Sequence, residues 1–299
     1  TARAFPNDTL LADLSGKAAD CNVDIRTRSE VYEILTEDGK VSGVRVIGPK
    51  GRFLTYHANQ VIIATGGFGR NLEMLLSFRP DLKKIATTNT PYTTGDAVVF
   101  LEALGADFSD MEKINLYPFV LPSEGTPLKQ ELIQRGGILV DGKGQRFVDE
   151  NGDTEKVSDA ILSKEANVYL VLNQAIYDSE PFLKVLDQRG QVLHGQTAAM
   201  LAQSIGLSET DFSHFQETLQ QWDNSLSQKS DKAFNRDLTD ANSDFKGSYC
   251  ALMVTPGITE CLGGVKTDAE GRVLRVSGKP IEGLFAVGEV AAGPVDKGK

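Results

Sequence analysis

Several features are scarce or missing in this chain of 299 residues, and each absence narrows what it can be. No apolar run approaches the ~20 residues of a membrane-spanning helix. Cysteine is limited to Cys21, Cys250 and Cys261, an odd number without metal-ligand spacing, and His57, His194 and His214 are scattered. No metal site is expected from them. Three unpaired thiols suit a reducing compartment, so a cytoplasmic location is expected, with the periplasm as the alternative. Positive charge is in deficit: 31 Lys and Arg against 41 Asp and Glu give a net charge of −10, which argues against a nucleic-acid surface. A local basic pocket for a small acid can still exist in an acidic protein. No signal-peptide pattern is visible. The first methionine is Met74, and no Gly-x-Gly-x-x-Gly precedes the first strands. The chain is therefore expected to be a processed or cut piece, and it has no opening glycine loop of the kind that holds a pyrophosphate at a helix N-terminus.

What is present is glycine at the ends of apolar runs. Val61-Ile62-Ile63-Ala64 leads into Thr65-Gly66-Gly67-Phe68-Gly69, which reads as a buried strand closed by a tight turn. A turn without side chains lets a large flat ligand approach the backbone. Pro91-Tyr92-Thr93-Thr94-Gly95-Asp96-Ala97 and Gly283-Leu284-Phe285-Ala286-Val287-Gly288-Glu289-Val290 have the same character. At Thr94-Gly95-Asp96 a helix start would offer free amides to an anion, or be simply capped.

The rest of the chain supports an α/β reading. Residues 10–21 read as a helix with Leu10, Leu11, Leu14 and Ala18 at helical spacing, and residues 22–27 as a strand. Residues 31–36, 41–47 and 53–57 read as a meander turned at Asp38-Gly39 and Pro49-Lys50-Gly51. A parallel strand over 60–64 and short helices over 72–78 and 95–104 follow. The composition changes near Asp110. Residues 111–248 hold Pro/Gly-rich loops and helices, among them 155–163, capped by Asp153 or Thr154, and 211–229. Residues 249–299 return to short strands. The expected division is 1–110, 111–248 and 249–299, an inserted second domain in a discontinuous first.

In their order and spacing these segments resemble the flavoproteins of the fumarate reductase and succinate dehydrogenase family, nearest to soluble fumarate, urocanate and related enoate reductases. Gly136-Gly137-Ile138-Leu139-Val140, Gly144-Gln145-Arg146-Phe147-Val148-Asp149-Glu150 and Gly263-Gly264-Val265 add to the resemblance, which runs from about Asn22 to Gly293. It implies a partial FAD-binding, Rossmann-like domain with an inserted α+β capping domain. It also implies FAD as cofactor and hydride exchange between flavin and an activated C–C bond of an unsaturated acid or ketone. An electron-donor domain or subunit would be the partner. Flavin contacts implied are Val31, Ala64, Thr65, Gly66, Gly67, Thr94, Gly95, Asp96, Gly288 and Glu289, the last through ribityl hydroxyls.

The resemblance departs at the catalytic positions. Thr154 stands where relatives keep an arginine as proton donor, and a threonine hydroxyl is a poor acid. Tyr117 replaces a histidine before Pro118. Thr259 and Glu260 replace a histidine pair, and Glu260 would repel a substrate carboxylate. Glu131 and Arg135 resemble a proton-relay pair, or form a helical i,i+4 ion pair. The family's last substrate arginine would lie beyond Gly293, where this chain reads Pro294-Val295-Asp296-Lys297-Gly298-Lys299. A substrate other than fumarate is expected, and the isolated chain is expected to be inactive. Two alternatives remain: a non-catalytic flavin-binding or electron-relay subunit, and a cofactor-free fragment. An arginine, Arg135 or Arg146, facing the flavin cleft would separate the reductase from the relay subunit.

Overall fold

The computed structural model describes residues 7–83, 85–241 and 244–292. The stretch 294–299 lies outside them. The chain falls into two compact units, Thr1–Ile62 with Ile281–Phe285, and Ile63–Pro280 with Ala286–Lys299.

The first unit opens with helix α1 (Asn7–Asp20). Strands β1 (Glu30–Glu37), β2 (Lys40–Gly48) and β3 (Arg52–His57) then form the expected antiparallel meander. Asp38 and Gly39 both take positive φ, 49° and 81°, so a two-residue turn reverses the chain with the twist that a hairpin needs. β2 buries Val41 and Val46 between less buried neighbours, and Ile34, Ile281 and Leu284 of the same unit are buried as well. β4 (Val61–Ile63) pairs with the late strand Pro280–Ala286, which also runs parallel to β2 at Glu282 and Lys40. Two expectations fail here. Residues 22–27 form no strand: Asn22 is a left-handed turn residue, 23–27 belong to no helix or strand, and Arg28 is left-handed again, both at φ 55°. On α1, the stripe of Leu10, Leu11 and Leu14 is exposed rather than packed.

The second unit begins with α2 (Leu72–Phe78), β5 (Ala86–Thr87), α3 (Asp96–Ala103) and β6 (Phe108–Ser109). β7 (Ile114–Val120), α4 (Gln130–Gln134), β8 (Ile138–Val140), α5 (Thr154–Leu162) and β9 (Val168–Asn173) follow. Then come α6 (Gln174–Ser179), α7 (Pro181–Gln188), β10 (Leu193–Gly195), α8 (Ala198–Ser204) and the 20-residue α9 (Glu209–Gln228). Phe215, Leu219, Trp222 and Leu226 recur at helical spacing on α9 and are its buried stripe.

Strand β11 (Tyr249–Cys261) is 13 residues long, where only short strands were expected. Its first half joins the antiparallel order β10-β11-β9-β8, with Tyr249 opposite Asn173 and Val254 opposite Val168. Its second half pairs with β7 and β5 instead. The register shifts between Thr255 and Gly257, at Pro256, which has no N–H to give a ladder. One strand thus runs from the larger apolar cluster, built on residues 119–254, to a smaller one of Phe68, Leu75, Leu82, Met111, Ile114, Ile258 and Cys261.

Candidate functional site

The glycine turn after β4 is held by its backbone. Arg70 N–H donates to the Thr93 carbonyl at 2.9 Å. The Asn71 amide donates to the Thr94 carbonyl at 2.9 Å while its oxygen caps α2 at Met74 N–H, 3.0 Å. The turn and the Thr94-Gly95-Asp96 segment are therefore fixed side by side. Gly95 has φ 74° and is buried; a Cβ there would meet Phe68 and Met74. No side chain caps α3; Val98 N–H is taken by the Gly95 carbonyl at 2.9 Å, which leaves the amides of Asp96 and Ala97 for an acceptor. Thr94 donates to the Asp96 carboxylate at 2.8 Å.

Gly288 and Glu289 close the same region. Val287 N–H donates to the Ile63 carbonyl at 2.9 Å, placing them beside the turn. A Cβ on Gly67 would come within 2.5 Å of Glu289 Oε1. That oxygen accepts from Cys261 N–H at 2.8 Å, so one face of Glu289 is spent on the fold rather than on a ligand. Gly66 and Gly288, both at positive φ, border open space, and Ala64 and Thr65 are exposed. This backbone ledge, with the open start of α3, fits part of a flat ligand. Val31 lies in the first unit, half-buried on β1 opposite Val46.

A second group adjoins this one through Thr87, Thr88 and Asn89. Thr87 Oγ1 donates to the Gly69 carbonyl at 2.8 Å. The Asn89 amide packs where a Gly69 Cβ would be and donates to Ile258 and Thr259 carbonyls at 3.1 and 3.3 Å. Thr88 lines a cleft of about 340 Å³ together with Tyr117, Pro127, Leu128, Lys129 and Thr259. Tyr117 Oη donates to the Leu128 carbonyl at 2.7 Å. Burial, aided by the charge of Glu131, pushes its pKa up to about 12, so it stays protonated at neutral pH.

The other expected catalytic residues are placed less centrally. Thr154 is the exposed first residue of α5; Asp153 is the cap, accepting from Lys156 N–H at 3.1 Å. Gln130 reaches Asn151 at 3.2 Å and ties that loop to α4. Glu260 is exposed and accepts from the Asn115 amide at 3.3 Å. Glu131 and Arg135 do not form the helical ion pair: Arg135 meets Glu180 at 3.5 Å, and Glu180 also holds Lys129 at 3.0 Å. Arg135 follows the five-residue α4 as its C-cap, and its guanidinium goes to Glu180, outside that helix.

Arg146 lines a separate cleft of about 680 Å³ beside Trp222 and Phe234, but its guanidinium is already engaged. It binds both oxygens of Glu150, at 2.9 and 2.8 Å, and Asp231 at 3.0 Å, and lies over Trp222 and Phe234. Burial opposes its charge, but the two carboxylates outweigh that and raise its pKa. Asp231 is likewise buried, yet Arg146 holds it below the usual carboxylate range. Arg236, fully buried, bonds to Glu150 and the Gly137 and Ile133 carbonyls. Sequence reading missed Lys129, Thr88, Asn71 and Asn89. The run Thr87-Thr88-Asn89-Thr90 was a local signal of polar turn chemistry; Lys129 had none. Among the described residues no group of acidic, histidine or cysteine side chains could hold a metal, and no helix is long and apolar enough to cross a membrane.

The sequence pattern of the FAD binding domain family matches residues 2–298. The chain is 30% identical over 272 residues to the NADH:fumarate oxidoreductase of Klebsiella pneumoniae, covering 91% of this chain and 29% of that protein. It is 28% identical to the NADH:acrylate oxidoreductase of Vibrio harveyi, over 94% of this chain and 29% of that one. Among solved structures, the open conformation of a flavocytochrome c3 fumarate reductase superposes with a TM-score of 0.78 at 29% identity. That match covers 94% of this chain and 49% of the other. The chain thus spans less than half the length of these relatives, and the mixed α/β fold is that of FAD-binding flavoproteins.

Proposed function

The chain belongs to the FAD binding domain family, whose cofactor is FAD, and we propose that the protein is a reductase of the C=C bond of an unsaturated acid or ketone. The observation that carries this reading is the segment Thr87–Asn89, which fastens the glycine turn and the Tyr117 cleft to each other. A flavin on the ledge and an acceptor in the cleft would then be neighbours. When bound, FAD supplies the hydride.

The chain's own residues bind and orient. Ala64, Thr65, Gly66 and Gly67 give the ledge, and Thr94, Gly95 and Asp96 the open amides beside it. Gly288 gives close approach, while Glu289 braces Gly67 and Cys261. Val31 stays a proposed contact to the adenine end. Tyr117 is a fixed polar wall of the cleft, Glu131 lies in the first turn of α4 and Arg135 at its end, and Thr154 and Glu260 stand at the positions of the family's catalytic groups. The division into residues 1–110, 111–248 and 249–299 belongs to the same proposal. It is supported by the two separate apolar clusters of the second unit, although the compact units themselves part at Ile62 and Ile63. An electron-donor domain or subunit and a cytoplasmic location, with the periplasm as alternative, complete it.

The engagement of both candidate arginines favours a second reading, a flavin-binding relay subunit with a degenerate site. Turnover by the flavin-loaded whole protein decides between them. With a reduced viologen as donor, acrylate or an α,β-unsaturated ketone should be reduced; bound FAD with no reduction of any such acceptor establishes the relay subunit. Absence of bound FAD from the whole protein overturns both.

A further inference from the structure

The hydroxyls of the 340 Å³ cleft have already given their protons away. Tyr117 donates to the Leu128 carbonyl at 2.7 Å, Thr88 to the Ile258 carbonyl at 3.1 Å and Thr259 to the Asn115 carbonyl at 3.1 Å. Each hydroxyl has one proton, so each offers the cleft only lone pairs. Pro127 and Leu128 add apolar surface. The remaining lining side chain, Lys129, is the one with protons to spare: its ammonium has three N–H groups and gives one to Glu180 at 3.0 Å. Glu180 also holds Arg135, so it keeps a cationic partner when Lys129 turns to a ligand. The nearby anions are Glu131, whose charge acts on Tyr117, and Glu260, the neighbour of Thr259.

We infer that Lys129 is the carboxylate-binding and specificity-determining residue of this cleft, and that it selects an enoate with one carboxylate and an apolar body over a dicarboxylate. The inference rests on reading the cleft as the substrate site. A carboxylate accepts and cannot donate, so it needs a cation or an N–H. Among the lining side chains Lys129 alone carries one, and it satisfies one carboxylate. A second carboxylate would face the lone pairs of Tyr117, Thr88 and Thr259, with Glu131 and Glu260 close by, and would be repelled. The three acceptor oxygens and the apolar wall suit the uncharged remainder of the molecule.

Saturated acids test this without turnover. Pentanoate and glutarate share a chain length and differ in one carboxylate. Their binding to the 299-residue chain can be followed by protein NMR for the wild type, Lys129→Met and Lys129→Arg. Pentanoate should bind at least threefold tighter than glutarate. Lys129→Met should weaken pentanoate about tenfold, the loss of one charge-assisted bond, and Lys129→Arg should restore most of it. Equal binding of both acids, no binding of either, or pentanoate binding indifferent to Lys129→Met overturns the inference. The reductase reading fails separately: Lys129-dependent pentanoate binding in a protein that reduces no unsaturated acid leaves the anion site standing and removes the reaction.

Discussion

The Trp222 region and the glycine-turn region of the second unit are held by opposite means. Around Trp222 the contacts are between charged side chains out of water. Glu150, with 0% of its side chain exposed, accepts from Leu139 N–H, Arg146 and Arg236, and Trp222 donates to the Gly136 carbonyl at 2.9 Å. Around the glycine turn most contacts are backbone to backbone, or one short amide or hydroxyl to a carbonyl, and the carboxylates of Asp96 and Glu289 accept from neutral donors. The first arrangement spends Arg146, Arg236, Glu150 and Asp231 on one another, at the wall of a cleft that Glu217 and Lys232 also line. The second leaves Gly66 and Gly288, both at positive φ, beside open space. Charge density in the sequence thus marks where charges pair with one another, and glycine placement where backbone stays uncovered.

Breaking the charged half should have the largest effect. Glu150→Ala strands the buried Arg236 and leaves Arg146 with Asp231 alone, and should cost about 3–5 kcal/mol, read as a drop in denaturant midpoint. A loss below about 1 kcal/mol would mean that water satisfies Arg146 and Arg236 and that the network does not hold the region. Asn71→Ala removes both the α2 cap and the bridge to Thr94, and should cost about 1–2 kcal/mol. It should also weaken FAD in the whole protein, because the ledge and the α3 start lose their link. Unchanged flavin affinity in a destabilised variant would separate the cap from the site.

The contrast is sharpened by adding charge where the glycine side lacks it. Thr154→Arg restores the residue type that the family resemblance expects there, since a guanidinium can bind a carboxylate and stabilise developing charge. On an exposed helix start it should raise fumarate turnover of the flavin-loaded whole protein by about tenfold, less than the 10²–10³ of a fully supported donor. Rapid fumarate turnover with Thr154 in place would move the acid elsewhere, Arg135 first. The smallest effect is in pH. Arg146 holds Asp231 below its ordinary pKa, so this carboxylate's contribution is present above about pH 4 and is lost as pH falls through its folded value. Thermal stability should decline below about pH 4, and Asp231→Asn should flatten that part of the profile. An unchanged acid limb would show that other carboxylates carry it.

Much of the local structure was legible in the sequence because it depends on neighbours in the chain. Asp38-Gly39 marks the hairpin, Asp153 the cap of α5, and the spacing of Phe215, Leu219, Trp222 and Leu226 the face of α9. The order of the glycine segments carried the family, and with it FAD and the α/β fold. Residues 22–27 were misread because apolar alternation predicts a strand only when a partner edge exists, and no strand pairs with them here. The length of β11 was missed because Pro256 reads as a break, whereas the tertiary structure absorbs it as a register shift between two sets of partners.

What the sequence determined by itself is the set of backbone conformations: where glycine permits positive φ, where a strand ends and where a helix can begin. These follow from sterics within a few residues. Only the tertiary structure decided which charges are spent. Arg146 and Arg135 are both basic residues beside a recognisable motif, yet one is enclosed by Glu150 and Asp231 and the other held by Glu180, 45 positions away. Lys129 sits in no motif and still lines the cleft. The physical reason is that a charge takes its role from the groups within a few ångströms and from its distance to water, and for these side chains the long-range packing of the chain sets both.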